Sequence, residues 1–237
     1  MLKINNFSKS YPNGKKAVDN ISLEVNGGDI YGFVGHNGAG KTTTIRAVVG
    51  VLDFDEGEIF VDGYSVKADP IECKKRLAYI PDDPALYEYL TGTQYLNFIC
   101  DIFEVGKEER IEKIKYFADK LELADDLNSL VSSYSHGMKQ KLAVISALVH
   151  DPKLLILDEP FVGLDPKAAF TLKEIFREMC SRGTAIFFSS HVLETVEKLC
   201  NKIAIIKDGK LVVSGKTEEV QGEKSLENLF LELLDNE

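Results

Sequence analysis

The stretch Gly35-His36-Asn37-Gly38-Ala39-Gly40-Lys41-Thr42 constrains this chain more than any other part of it. The apolar run Ile30–Val34 precedes it and reads as a short strand. Lys41 to about Val49 follows and reads as a helix. Glycines in such a turn let successive backbone N–H groups curve around an anion without Cβ clashes. The helix N-terminus adds the positive end of its dipole. The pattern G-x-x-x-x-G-K-[ST] in this context predicts a cradle for a chain of phosphates, built from Gly35, His36, Asn37, Gly38, Ala39, Gly40, Lys41, Thr42 and Thr43. Lys41 can reach the terminal phosphates, and the Thr42 hydroxyl can ligate Mg²⁺. His36 fills a variable position and takes no catalytic role.

A second apolar run, Leu154–Leu157, fits a strand buried on both faces and ends in Asp158-Glu159. Carboxylates at the C-terminal edge of a parallel sheet face the crevice where ligands bind. Asp158 is expected to hold Mg²⁺ through water, and Glu159 to polarise an attacking water as general base.

Leu2–Phe7 and Ala17–Val25 read as strands on either side of a turn at Pro12–Gly14. Gly57–Val61 and Leu77–Ile80 are further short strands. From about Pro84 to His150 amphipathic helices take over. Ile111, Ile114, Phe117, Ala118 and Leu121 recur at helical spacing within Ile111–Leu123, and another helix spans about Met138–Val149. Strand and helix then alternate: helix Lys167–Ser181, strand Thr184–Phe188, helix Leu193–Leu199 and strand Ile203–Ile206. That alternation implies a parallel sheet. Gly209 turns the chain into Leu211–Val213, and the acidic Ser225–Leu234 reads as a surface helix. The expected class is α/β: a parallel-sheet core with an N-terminal antiparallel β part and an inserted α-helical subdomain. The core covers about 1–81 and 151–213, the helical subdomain about 82–150, and a helical tail about 217–237.

No apolar run approaches the ~18–20 residues of a membrane helix. The first residues lack the apolar segment of a signal peptide, so a cytoplasmic location is expected. A net charge of −10 argues against a nucleic-acid scaffold. Cys73, Cys100, Cys180 and Cys200 form no C-x-x-C pair and read as reduced thiols.

The two motifs are those of P-loop NTPases with a RecA-like core. Tyr134-Ser135-His136-Gly137-Met138 opens a helix about 20 residues before Asp158 and narrows the field. It resembles the signature of ABC ATPases, usually written Leu-Ser-Gly-Gly-Gln. The likeness extends from Tyr11 to about Gly209. By position it implies that ATP is the nucleotide, that Tyr11 stacks on adenine with Val18 beside it, and that His191 is the switch histidine contacting the γ-phosphate. Asp165, in Gly163-Leu164-Asp165, matches the D-loop. Ser135, Gly137 and Asp165 would act in trans, on the nucleotide of a partner chain. Two positions depart from the pattern. His136 and Met138 replace Gly and Gln, and Asp82 stands at the Q-loop glutamine, where a carboxylate can still ligate Mg²⁺. The run Ser135–Gln140 is similar to the signature of ATP-binding subunits that serve bacterial ABC-2-type exporters.

The resemblance implies half an enzyme. Two chains, as a homodimer or a heterodimer with another ABC ATPase chain, would bury two ATP molecules head to tail and separate on hydrolysis. A separate transmembrane permease subunit would supply the pore and place a coupling helix beside Tyr87–Leu90. The chain would then be peripheral on the cytoplasmic face of the membrane, with export the favoured direction. ABC-type ATPases of DNA repair and translation are the competing class. Repair members carry a long coiled coil between the two nucleotide motifs, whereas about 117 residues without sustained heptads separate Lys41 from Asp158. Translation factors carry two ATPase units in one chain, and a P-loop kinase would lack the signature and the Glu after Asp158.

Overall fold

The computed structural model describes residues 1–12 and 14–235; Asn13, within the expected turn, and Asn236 and Glu237, at the end of the expected tail, lie outside the described residues. The strands are β1 (Leu2–Ser10), β2 (Lys16–Val25), β3 (Ile30–Val34), β4 (Glu56–Val61), β5 (Tyr64–Ser65), β6 (Leu77–Ile80), β7 (Leu154–Asp158), β8 (Ala185–Ser190), β9 (Lys202–Lys207) and β10 (Lys210–Lys216). The helices are α1 (Lys41–Val48), α2 (Pro70–Arg76), α3 (Gly92–Ile102), α4 (Lys107–Lys120), α5 (His136–Leu148), α6 (Pro166–Ser181), α7 (Leu193–Leu199), α8 (Thr217–Gln221) and α9 (Leu226–Asp235).

Two sheets result. The first is antiparallel, in the order β2-β1-β4-β5. The second runs β10-β9-β3-β8-β7-β6, and all of its pairings are parallel except β9 with β10. The fold is therefore α/β as expected, with a mixed rather than wholly parallel main sheet. β10 returns antiparallel because Asp208 and Gly209 both take positive φ, 48° and 80°, in a tight turn too short for a crossover.

Alternation along the central strands explains the layering. Leu154 and Ile156 of β7 point into one core, shared with the antiparallel sheet and with Ile45 and Val48 of α1. Leu155 and Leu157 point into the other, beneath α5, α6 and α7. A strand buried on both faces has no polar phase, which is why these runs are continuously apolar. Phe33 and Phe187 pack at 5.4 Å between ring centroids in the first core. Each such ring contributes about 2–3 kcal/mol by leaving water.

Helices α3, α4 and α5 pack together as an inserted group. α3 starts at a capping box in which Thr91 and Gln94 satisfy each other's backbone N–H groups, at 3.2 and 2.9 Å. α4 runs Lys107–Lys120 rather than Ile111–Leu123. Its polar first turn carries no apolar period to read, and Leu121 and Glu122 lie past its end, Glu122 with φ 54°. Glu178 of α6 joins this group to the main core, accepting from Lys120 at 2.8 Å and from the Tyr116 hydroxyl at 3.1 Å. All four cysteines are free thiols, and burial pushes the Cys180 thiol up to about 12.

Candidate active site

The loop between β3 and α1 is pressed against its neighbours. A Cβ on Gly35 would lie 2.5 Å from the Ile206 carbonyl oxygen, and one on Gly40 would lie 2.6 Å from that of Ala17. Gly38 faces open space but has φ +84°, so its requirement is conformational. Gly40 caps α1 without a side chain, and no acidic residue occupies the first turn. Among the described residues no side chain caps these first-turn N–H groups, the arrangement that favours an anion.

Lys41 is only 7% exposed, and its Nζ donates to the carbonyls of Gly35 at 2.6 Å and His36 at 3.2 Å. Burial lowers its pKa, and the nearby carboxylates of Glu159 and Asp158 oppose that shift. The Thr42 hydroxyl donates to Asp158 Oδ2 at 2.8 Å, and Ser189 donates to Asp158 Oδ1. β7 and β8 thus fix both oxygens of a buried carboxylate beside the loop. Hydroxyl and carboxylate oxygens in this pairing suit a hard cation such as Mg²⁺.

Glu159 follows with φ 51°, a left-handed backbone unusual for a residue with a side chain. Its N–H is held by Ser189, at 3.2 Å from the hydroxyl and 3.3 Å from the carbonyl. His191 Nδ1 lies 2.9 Å from Glu159 Oε1. A carboxylate aimed by backbone strain and an imidazole can order a water for attack.

Lys41, Thr42, Asp158 and Glu159 line a cavity of about 290 Å³, whose wall also includes Tyr11, Lys15, Ala17, Thr43 and Asp82. His191 and Ser189 are not in that wall and reach it through Glu159 and Asp158. Asp82 is on the wall with Asp158, and the Tyr11 hydroxyl is 3.3 Å from Thr43 Oγ1. Val18, expected beside Tyr11, is not in this wall. Val18 is fully buried beneath the loop, 3.2 Å from where a Gly40 Cβ would sit, and Ala17 and Lys15 line the cavity instead. Gly35 and Ala39 shape the loop from behind and do not reach the wall.

The family model described as ABC transporter matches residues 18–162. The chain belongs to that family. It is an ABC-type ATPase, the ATP-binding subunit of an ABC transporter. An uncharacterised ABC transporter ATP-binding protein of Methanocaldococcus jannaschii is 35% identical over 99% of this ATPase and 83% of its own length. A Bacillus subtilis protein named as the ATP-binding protein for SkfA peptide export is 36% identical over 90% and 87%. Among solved structures, one described as the ATP-binding subunit of an ABC transporter superposes with a TM-score of 0.95 at 30% identity, covering 99% of this chain and all of the other.

The ABC signature lies away from the cavity of its own chain. Ser135 caps α5, accepting from the Met138 N–H at 3.3 Å. The His136 ring packs where a Gly163 side chain would be, and a Cβ on Gly137 would approach the Gly163 carbonyl to 3.0 Å. Asp165 caps α6, accepting from the Ala168 N–H at 2.9 Å, and that bond, with Lys141 at 3.5 Å, lowers its pKa. None of Ser135, Gly137 and Asp165 lines the cavity around Lys41. Sequence reasoning missed Ser189, which positions Asp158 and Glu159 together. Its place beside the assigned His191, at the end of the strand next to β7, was the available signal.

Proposed function

We propose that this ABC ATPase drives export through a separate permease subunit by closing, with ATP and Mg²⁺, onto a second ATPase chain. One observation carries the reading: a phosphate cradle and the exposed, Ser135-capped start of α5 occupy one chain, and none of Ser135, Gly137 and Asp165 lines the cavity around Lys41. A cradle that lacks its signature is a half-site, and a second copy or a paralogue supplies the other half.

Within the cradle, Lys41 exchanges its two carbonyl partners for terminal phosphate oxygens, an exchange that its lowered pKa and buried stem favour. Thr42, Asp158 and Asp82 hold Mg²⁺, which neutralises charge on the phosphate oxygens when bound. Tyr11 supports the base. Glu159 takes the general-base role, and His191 keeps its carboxylate aimed and senses the terminal phosphate. Ser135, Gly137 and Asp165 act on the partner's nucleotide. Loss of that phosphate on hydrolysis removes the bridge between chains.

No described helix is long and apolar enough to cross a membrane. The path for the cargo is assigned to another subunit. An apolar groove of about 670 Å³ between α2, β6, α3 and α5, lined by Tyr79, Tyr95, Ile99 and Phe103, supports docking of that permease. Tyr87, whose ring stacks edge-on to Tyr95, continues this surface. The protein then sits on the cytoplasmic face, and the relative named for peptide export favours the outward direction. The main core about 1–81 and 151–213, with the insert about 82–150, is the unit that moves.

The decisive variant is Glu159→Gln, which keeps every binding contact and removes the base. Gel filtration with Mg-ATP is expected to show a stable dimer that the wild type forms only transiently. A variant that stays monomeric at saturating Mg-ATP refutes the half-site reading.

A further inference from the structure

We propose that the Tyr11 hydroxyl is tethered to Thr43 so that the base platform and the phosphate cradle are oriented as one unit, making Thr43 a positioning residue for Tyr11. The inference rests on the nucleotide reading of this cavity and adds a mechanical connection to it.

Tyr11 directly follows β1, at the turn that leads into β2. Its N–H donates to the Lys15 carbonyl at 2.9 Å, and its own carbonyl accepts from the Gly14 N–H at 2.9 Å. Those bonds fix the main chain but leave the ring free to turn about its side-chain torsions. Two further contacts set the ring. The Lys9 ammonium lies 6.0 Å from the ring centroid, and the hydroxyl is 3.3 Å from Thr43 Oγ1. Lys9 is itself held by Asp55 at 3.5 Å. A cation thus stands over one face of the ring, and the far end of the ring is tied to the first turn of α1. Thr43 is the neighbour of Thr42, whose hydroxyl reaches Asp158.

A threonine hydroxyl has one proton and two lone pairs. It can accept from the tyrosine and still donate its own proton to a phosphate oxygen. The same oxygen then registers both ends of a nucleotide. A ring held in place before binding also loses less freedom on binding, so affinity improves without any new contact to the base.

A double-mutant cycle on the full chain tests this, read as the affinity for Mg-ATP by equilibrium titration with Mg-tripolyphosphate as the baseless control. Tyr11→Phe keeps the ring and removes the tether. It is expected to weaken Mg-ATP binding about fivefold, the worth of one hydrogen bond, and to leave tripolyphosphate binding unchanged. Thr43→Val is expected to weaken both ligands, and in its background Tyr11→Phe is expected to cost nothing more. Thr43→Ser restores the wild-type response to Tyr11→Phe. Equal losses from Tyr11→Phe in the wild-type and Thr43→Val backgrounds overturn the tether, as does no loss in the wild type. A loss of tripolyphosphate affinity on Tyr11→Phe also overturns it. A wild-type protein that binds neither ligand refutes the nucleotide reading instead, so the two failures are distinct.

Discussion

Gly38 and Gly40 belong to the same loop but should respond very differently to alanine. At Gly40 the backbone has φ +111° and the new Cβ would lie 2.6 Å from the Ala17 carbonyl oxygen, with Val18 and Ile206 side chains at 3.2 and 3.3 Å. The left-handed backbone alone costs about 1–2 kcal/mol. Forcing a methyl against fixed β2 backbone adds about 1–3 kcal/mol. Gly38→Ala carries only the first cost, because nothing lies within 4 Å of its Cβ. For a chain of this size that difference of about 1–3 kcal/mol is about 2–12 °C in melting temperature. Calorimetry without nucleotide on both variants measures it. Gly40→Ala should melt well below Gly38→Ala and lose Mg-ATP affinity more steeply, because relief of the overlap lifts the loop from β2. Equal melting temperatures, or a larger loss at Gly38, would refute the argument that packing against β2 dictates the second glycine.

His150 stacks flat on Phe103 at 3.7 Å, and burial drops its pKa from 6.5 to about 4. The unfolded chain therefore binds the proton first as pH falls. This group's contribution is complete above pH 6.5 and declines toward pH 4, by about 3 kcal/mol at the lower end. His150→Phe should flatten that part of the urea-midpoint profile, and a parallel profile would count against it. Gln140 is fully buried with both amide atoms unpartnered. Gln140→Met should raise the stability of the isolated chain by about 1–2 kcal/mol in denaturant titration, whereas a loss would mean the amide is satisfied.

The cradle was legible in the sequence because its chemistry admits few residue types. Glycines, a lysine and a hydroxyl in fixed order leave little else to encode. β3, β7 and β8 were legible because a strand covered on both faces must be apolar throughout. Tertiary placement was harder to read. The resemblance sets Val18 beside Tyr11, but in β2 its side chain is fully buried beneath the loop, and only the fold decides that. α2 is seven residues of mostly polar sequence behind Asp69-Pro70, a start signal that its lack of apolar period obscured. Ser189 reads as one of two serines before a histidine. Its hold on Asp158 and Glu159 comes from the parallel register that pairs Asp158 with Ser189. The strained φ of Glu159 is likewise set by the surrounding packing and not by its own type.

The most direct test is equilibrium titration of the purified chain with Mg-ATP, alongside Lys41→Ala. Saturable binding by the wild type, lost in the variant whose melting curve still shows a folded protein, is the expected result. Undiminished affinity in Lys41→Ala, or no binding by either protein at any nucleotide concentration, would contradict a buried ammonium at the base of a phosphate cup.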